Sequence, residues 1–140
     1  MKVLIPVDGS DYTKRCLSYL AAHDELLAGS HDFVAVTVAP GIPEEATRFL
    51  DRSTVHDYYA ERAEHVMAPV RAFAQMQHWA LRERVAHGHA AEQIALAVEQ
   101  EKPDLIVMGS RGHSSLGGLL LGSVAVGVMS RCKQPLLLIR

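Results

Sequence analysis

Hydrophobic and polar positions divide the chain into short apolar runs and longer segments with helical periodicity. Apolar runs predict β-strands at residues 3–7, 33–38, 105–108 and 136–139. The run at 105–108 is continuous, which is typical of a parallel strand buried on both faces. Residues 81–86 instead alternate apolar and charged side chains, as a strand with one exposed face does.

Segments with helical spacing lie between these strands. The turn at 8–11 is followed by a helix in which Cys16 and Leu20 share one face, and Ser10 is the expected N-cap. Two more helices are predicted at 90–101 and 124–131. In the first of these helices apolar residues recur at helical spacing, and the second follows a glycine that breaks the preceding segment.

The middle of the chain is less regular. Residues 44–51 are compatible with either a short helix or a loop. Residues 55–79 have helical character, and Pro69 is expected to kink this helix or split it in two.

Alternation of strands and helices predicts an α/β protein with one doubly wound parallel sheet and helices on both faces. Such sheets bind ligands at the carboxyl ends of their strands, where the strand order reverses. The turn after the first strand and the loop after the fourth both belong to that edge. We therefore expect Asp8 and residues 109–112 to lie in one crevice.

Composition narrows the class of protein. The 140 residues, 49% of them apolar, suit one compact domain. With 14 basic and 16 acidic side chains, the net charge of −2 argues against broad binding to nucleic acid. No apolar segment is long enough to span a bilayer, and the one at the N-terminus is too short for an export signal. Cys16 and Cys132 are interpreted as reduced thiols of a cytoplasmic protein.

Glycines near the C-terminus form the most informative motif. Gly109-Ser110-Arg111-Gly112 closes a predicted strand, and Gly122-Ser123 opens a predicted helix. Unpaired amides and the macrodipole make a helix N-terminus an anion site. Ser123 is expected either to contact a phosphate or to cap the helix. The chain has no Gly-Lys-Ser/Thr, and the turn after the first strand lacks GxGxxG, which excludes the Walker A and dinucleotide motifs.

The spacing glycine, two residues, glycine, nine residues, Gly-Ser resembles the universal stress protein family, and in particular its ATP-binding branch. The resemblance covers residues 1–140 as one domain. It is carried by motifs at residues 5–10, 88–94, 104–112, 120–125 and 134–139. It implies a five-stranded parallel sheet in the order 3-2-1-4-5.

The resemblance also implies an adenine nucleotide site for ATP, or ADP or AMP, with Mg²⁺ held by the phosphates. Asp8 would contact the ribose or the adenine, the backbone of Val38 would meet the adenine edge, and Met108 would pack near the base. Arg111 is expected either to contact phosphate or to be a solvated loop charge. Ser114 and Ser115 are expected either to contact phosphates or to be plain loop residues. The full expected nucleotide site is Pro6, Val7, Asp8, Val38, Met108, Gly109, Arg111, Gly112, His113, Gly122, Ser123 and Val124.

The function implied is a stress-response or signalling module that holds ATP with slow or no hydrolysis. The loop offers no lysine or general base, so no catalytic residue is assigned, and His113 is read as a loop residue. His87 and His89 lack the neighbours of a metal site. The alternatives are a scaffold protein of the same fold that does not bind nucleotide and, third, a nucleotide-hydrolysing or transferring enzyme.

The last predicted strand is apolar and would lie at the sheet edge. An exposed apolar edge needs a cover, and pairing with a second copy across a two-fold axis supplies one. The family commonly dimerises in this way, so the expected homodimer interface is Leu136, Leu137, Leu138 and Ile139.

Overall fold

A computed structural model describes residues 1–23, 25, 30–113 and 121–140 of the chain. The elements, in chain order, are β1 (Lys2–Pro6), α1 (Asp11–Ala22), β2 (Asp32–Ala39), α2 (Glu44–Thr47), α3 (Arg52–Met76), β3 (Ala80–His87), α4 (Ala90–Glu101), β4 (Leu105–Gly109), α5 (Ser123–Arg131) and β5 (Leu136–Ile139).

The five strands form one parallel sheet in the order β3-β2-β1-β4-β5. The central strand β1 pairs with β2 on one side and with β4 on the other. This confirms the predicted fold class and strand order. The strand order therefore reverses at β1, since β2 and β3 lie on one side of it and β4 and β5 on the other. Sheets of this kind bind ligands at that switch point.

Side chains of β1 alternate between two hydrophobic cores, one on each face of the sheet. Val3 and Ile5 join the core formed with α1 and α3, whereas Leu4 joins the core formed with α4 and α5. All three side chains are fully buried, because a central parallel strand is covered on both faces.

The structure of the middle of the chain decides between helix and loop at residues 44–51 and between one helix and two at Pro69. The segment 44–51 contains the short helix α2 at its start. The alternative that Pro69 splits the next helix is wrong, because α3 runs through Pro69 as one helix of 25 residues. Asp51 caps that helix by accepting a hydrogen bond from the amide of Thr54 at 2.7 Å. The helix ends before Trp79, which stacks on Phe33 with ring centroids 4.3 Å apart.

Helices α4 and α5 pack closely on the second face of the sheet. A Cβ at Gly127 would lie only 2.5 Å from the Cβ of Ala91, so this approach requires glycine. The contact fixes α5, whose N-terminus points to the carboxyl edge of the sheet.

None of the helices within the described ranges combines the length and apolarity needed to cross a membrane.

Candidate functional site

A cavity of about 1080 Å³ lies at the carboxyl edge of the sheet, beside the ends of β1, β2 and β4. Its walls come from the turn after β1, the end of β2, the loop after β4, the start of α5 and part of α3. All twelve residues of the nucleotide site expected from the sequence line it: Pro6, Val7, Asp8, Val38, Met108, Gly109, Arg111, Gly112, His113, Gly122, Ser123 and Val124. The fold thus brings together segments separated by about a hundred residues.

Asp8 lies in the turn after β1. Its Oδ1 accepts hydrogen bonds from the amide of Ser10 and the hydroxyl of Thr13, both at 3.0 Å, and its Oδ2 accepts one from the amide of His113 at 3.2 Å. Burial acts to raise the pKa of Asp8, but these hydrogen bonds outweigh it and hold the pKa below its usual value. Asp8 is therefore an ionised acceptor at neutral pH, and its partner on a ligand must be a donor.

Ser10 occupies the predicted N-cap position of α1, but its side chain makes no capping hydrogen bond. Its Oγ is buried and makes no hydrogen bond of standard geometry, although its proximity to Asp8 helps to lower the pKa of that carboxyl. The role expected of its side chain is therefore wrong. Its backbone amide instead shapes the turn by donating a hydrogen bond to Asp8.

The loop after β4 is docked on this turn. His113 donates its amide to Asp8 Oδ2, and its ring Nε2 lies 2.8 Å from the backbone oxygen of Asp8. A Cβ at Gly112 would lie 2.5 Å from Asp8 Oδ2, and one at Gly109 would lie 2.6 Å from the Cβ of Tyr12. His113, expected in the nucleotide site as a loop residue without a catalytic role, positions this loop against Asp8.

The start of α5 forms the next wall. Gly122 is the N-cap of the helix, so the alternative that Ser123 caps it is wrong: Ser123 is the first helical residue. The amide of Gly122 donates to the backbone oxygen of Ser110 at 2.7 Å, which ties the helix start to the loop after β4. Amides of the first turn of a helix have no intrahelical partner, and here that turn borders the cavity.

The end of β2 presents backbone groups to the cavity. The backbone oxygen of Val36 accepts from the amide of Val7 at 2.8 Å, so Val36 faces β1. Backbone groups of a strand alternate in direction, so those of Val38 face the same side. Strand β1 pairs no further than Val36, so the amide and carbonyl of Val38 face the space beyond its end.

Part of α3 lines the cavity, which the sequence did not lead us to expect. A Cβ at Gly9 would lie 3.5 Å from the side chain of Val66, so Val66 sits over the turn after β1. The helix returns from the carboxyl edge of the sheet to its amino edge. The segment from Arg52 to Val66, roughly 20 Å of helix, therefore lies beside the carboxyl ends of the strands, with Tyr59 stacked on His87 at the end of β3, and we call this segment the overhang.

The cavity-facing side of this overhang carries Tyr58, Glu61, Arg62, His65 and Val66. Their spacing of three and four residues is the signal for a single helix face that could have been read from the sequence. Tyr12 and Thr13 of α1 also line the cavity and were not singled out.

Two sets of expected residues stand apart. Ser114 and Ser115 lie outside the described residues. The ring of His87 stacks on Tyr59 with centroids 4.7 Å apart, and His89 lies 3.9 Å from Glu92. Within the described ranges, no group of three or more His, Cys, Asp or Glu side chains could hold a metal ion.

Strand β5 lies at the sheet edge and pairs with β4 alone among the described strands. The side chain of Ile139 is buried in the core on the α1 side. Leu136, Leu137 and Leu138 are half-buried.

The sequence matches the model of the universal stress protein family over residues 1–140. It is 35% identical over 145 residues to a universal stress protein of Thermus aquaticus, with 99% of this chain and 97% of that protein covered.

The fold is also similar to solved structures. A Methanocaldococcus jannaschii universal stress protein superposes with a TM-score of 0.84 at 23% identity, covering 99% of this chain and 94% of that one. An Arabidopsis thaliana universal stress protein family protein with AMP bound gives 0.72 at 16% identity, covering 99% and 90%. A universal stress protein in complex with cAMP gives 0.64 at 22% identity, covering 100% and 96%. By sequence and by fold, this chain belongs to the universal stress protein family.

Proposed function

We propose that this chain binds one adenine nucleotide, ATP foremost, in the cavity at the carboxyl edge of the sheet. The observation that carries the proposal is that one cavity at the switch point is lined by all twelve residues expected from the motifs. Two structural neighbours, described with AMP and with cAMP, add support for this class of ligand.

Each wall of the cavity suits a different part of a nucleotide. The ionised carboxylate of Asp8 suits a donor, either a ribose hydroxyl or the adenine amino group. The backbone amide and carbonyl of Val38 suit the hydrogen-bonding edge of the base. The first turn of α5 and the guanidinium of Arg111 suit the phosphates, as an anion site built from amides and a fixed positive charge.

We expect binding with slow or no hydrolysis. Phosphoryl transfer needs charge neutralisation and a positioned nucleophile. None of the described residues that line the cavity is a lysine, and the ring Nε2 of His113 is engaged with the backbone of Asp8. Mg²⁺ is expected to enter on the phosphates. We therefore expect turnover below about 1 s⁻¹, the low end for dedicated enzymes.

In this proposal, the nucleotide acts as a signal for a stress-response module in the cytoplasm. His113 of the loop after β4 and Arg62 of α3 both border the cavity and are both exposed. Occupancy of the cavity would change the surface that they present. A nucleotide-free scaffold of the same fold is the alternative.

The first test is to denature freshly purified protein and to identify any released nucleotide by chromatography and mass spectrometry. We expect close to one adenine nucleotide per chain, mainly ATP. If nothing is released, and added ATP does not raise the melting temperature, the proposal is wrong and the scaffold alternative replaces it.

We also propose that two copies pair through β5. The support is its position at the sheet edge and the half-exposed row Leu136, Leu137 and Leu138. A paired edge would cover these side chains and end the sheet without an open apolar strand.

A further inference from the structure

The overhang of α3 brings a second cation to the cavity, away from the glycine loop. Arg62 lines the cavity from this helix, and Arg111 lines it from the loop after β4. The two residues belong to different walls. The motif at 109–112 accounts for Arg111 alone, so the presence of Arg62 needs its own explanation.

Arg62 is free to bind an anion. Within the described ranges, four arginines are held in ion pairs, among them Arg71 with Glu64 and Glu83, and Arg84 with Glu101, whereas Arg62 is not. Among the described residues, no carboxylate lies within ion-pair distance of Arg62 or of Arg111.

Arg62 is also partly oriented. Its guanidinium carbon lies 5.5 Å from the centroid of the Tyr58 ring, one helical turn earlier on the same face. Because both residues line the cavity, stacking on this ring holds the guanidinium at the cavity wall. An oriented guanidinium loses less freedom when it binds a ligand.

The described walls carry two carboxylates beside the two guanidinium groups. The acids at the cavity are Asp8, which is engaged by its own turn, and Glu61, which lies next to Arg62 on the overhang. A monophosphate can be satisfied by the amides of α5 together with Arg111. A second free guanidinium suits a ligand with further phosphates, since its planar fork matches phosphate oxygens.

We propose that Arg62 is a specificity-determining residue that contacts the outer phosphates of the ligand. It would make the site favour a nucleoside triphosphate over AMP or cAMP. This inference rests on the proposed function, because it concerns the same cavity. It adds a residue from a part of the chain that no motif covers.

The test is calorimetric titration of ATP and of AMP into three proteins: the wild type, Arg62→Gln and Arg52→Gln. Arg52 is a matched control because it begins the same helix, carries the same charge and does not line the cavity. We expect Arg62→Gln to weaken ATP binding by about 10- to 100-fold and AMP binding by less than about threefold. Arg52→Gln is expected to leave both affinities within about twofold.

Replacement of the stacking ring gives a second readout. Tyr58→Phe keeps an aromatic face and should retain ATP affinity, whereas Tyr58→Leu should lower it for ATP more than for AMP. Equal weakening of ATP and AMP in Arg62→Gln would overturn the inference, as would an equal effect of Arg52→Gln. A wild-type protein that binds neither nucleotide would instead refute the proposed function.

Discussion

At the scale of single residues, the glycines of the loop after β4 are explained by the protein itself. At Gly112 a Cβ would collide with the carboxylate of Asp8, and at Gly109 with Tyr12. Those atoms cannot easily yield, because Asp8 is held by hydrogen bonds from three residues. The glycines therefore let the loop dock on the first turn, which brings its backbone to the cavity.

Gly112→Ala should disrupt this docking. The added methyl must displace Asp8 or the loop, so we expect nucleotide affinity to fall by about tenfold or more while the fold is retained. Calorimetric titration with ATP measures the loss. Gly41→Ala is the matched control, because a Cβ there would make an ordinary contact at 3.7 Å with the Cα of Gly88. Unchanged affinity in Gly112→Ala would refute this role for Gly112.

At the scale of elements, the contact between α4 and α5 sets the position of the phosphate-facing helix. Gly127 weakens α5 by its low helix propensity. It is nevertheless required, because Ala91 occupies the space that a side chain would take.

Gly127→Ala should destabilise the protein although alanine is the better helix former. Overpacking costs about 1–3 kcal/mol, and the gain in helix propensity returns at most about 1 kcal/mol. Denaturant unfolding measures the difference, with exposed Val126→Ala as a control on the same helix. Adding Ala91→Gly should restore space and show favourable coupling between the two sites. Stabilisation by Gly127→Ala alone would contradict the close packing.

Helix α4 is also linked to the edge strand β3 by ions. Glu101 accepts hydrogen bonds from Arg84 at 2.7 Å and from Arg82 at 3.0 Å, and the ammonium of Lys2 lies 3.9 Å away. The hydrogen bond from Arg84 is the largest influence on the pKa of Glu101 and lowers it. Burial acts in the opposite direction, but the bonds from Arg84 and Arg82 together hold this pKa below its usual 4.5. These contacts join the surface-facing side chains of β3 to the body of the protein.

Glu101→Gln should lower the melting temperature at neutral pH by a few degrees. A carboxyl whose pKa is lowered by folding contributes stability above its unfolded pKa, and loses it as pH falls through its folded pKa. The difference from wild type should therefore shrink below about pH 4.5. Glu99→Gln is the control, since Glu99 is exposed on the same helix. A difference that stayed constant down to pH 2 would exclude this origin.

Much of the fold followed from the sequence, because four strands are apolar runs, β3 alternates apolar and charged residues, and the glycine motif at 109–123 marks a strand end and a helix start. The sheet order came from the resemblance. The wall formed by α3 did not follow, because none of the motifs that carry the resemblance lies in this helix, and its place depends on tertiary contacts such as Val66 over Gly9 and Tyr59 on His87. The sequence left open whether Pro69 kinks or splits α3; the helix stays continuous because exposed Pro69 is tolerated within a helix held by its buried face.

At the scale of the whole molecule, the order of strands decides where chemistry can occur. The switch point beside β1 gathers the turn after β1, the end of β2 and the loop after β4 into one cavity. The two sheet edges differ: β3 is lined with ion pairs, whereas β5 is apolar. We expect the apolar edge to be the one that meets a second copy.

Leu138→Asp should separate the proposed dimer into monomers or give insoluble protein, because a carboxylate would be buried in the paired edge. Light scattering after size-exclusion chromatography measures the mass. Val85→Asp, on the opposite edge at a residue 54% exposed, should leave the dimer intact. A soluble Leu138→Asp dimer, or a monomeric wild type, would refute pairing through β5.

The most direct test of the central claim is a crystal structure of the protein with ATP. The account predicts one nucleotide per chain, with the base beside Val38 and the phosphates at the first turn of α5. A fully ordered cavity with no nucleotide at millimolar ATP, or nucleotide bound elsewhere on the surface, would contradict it.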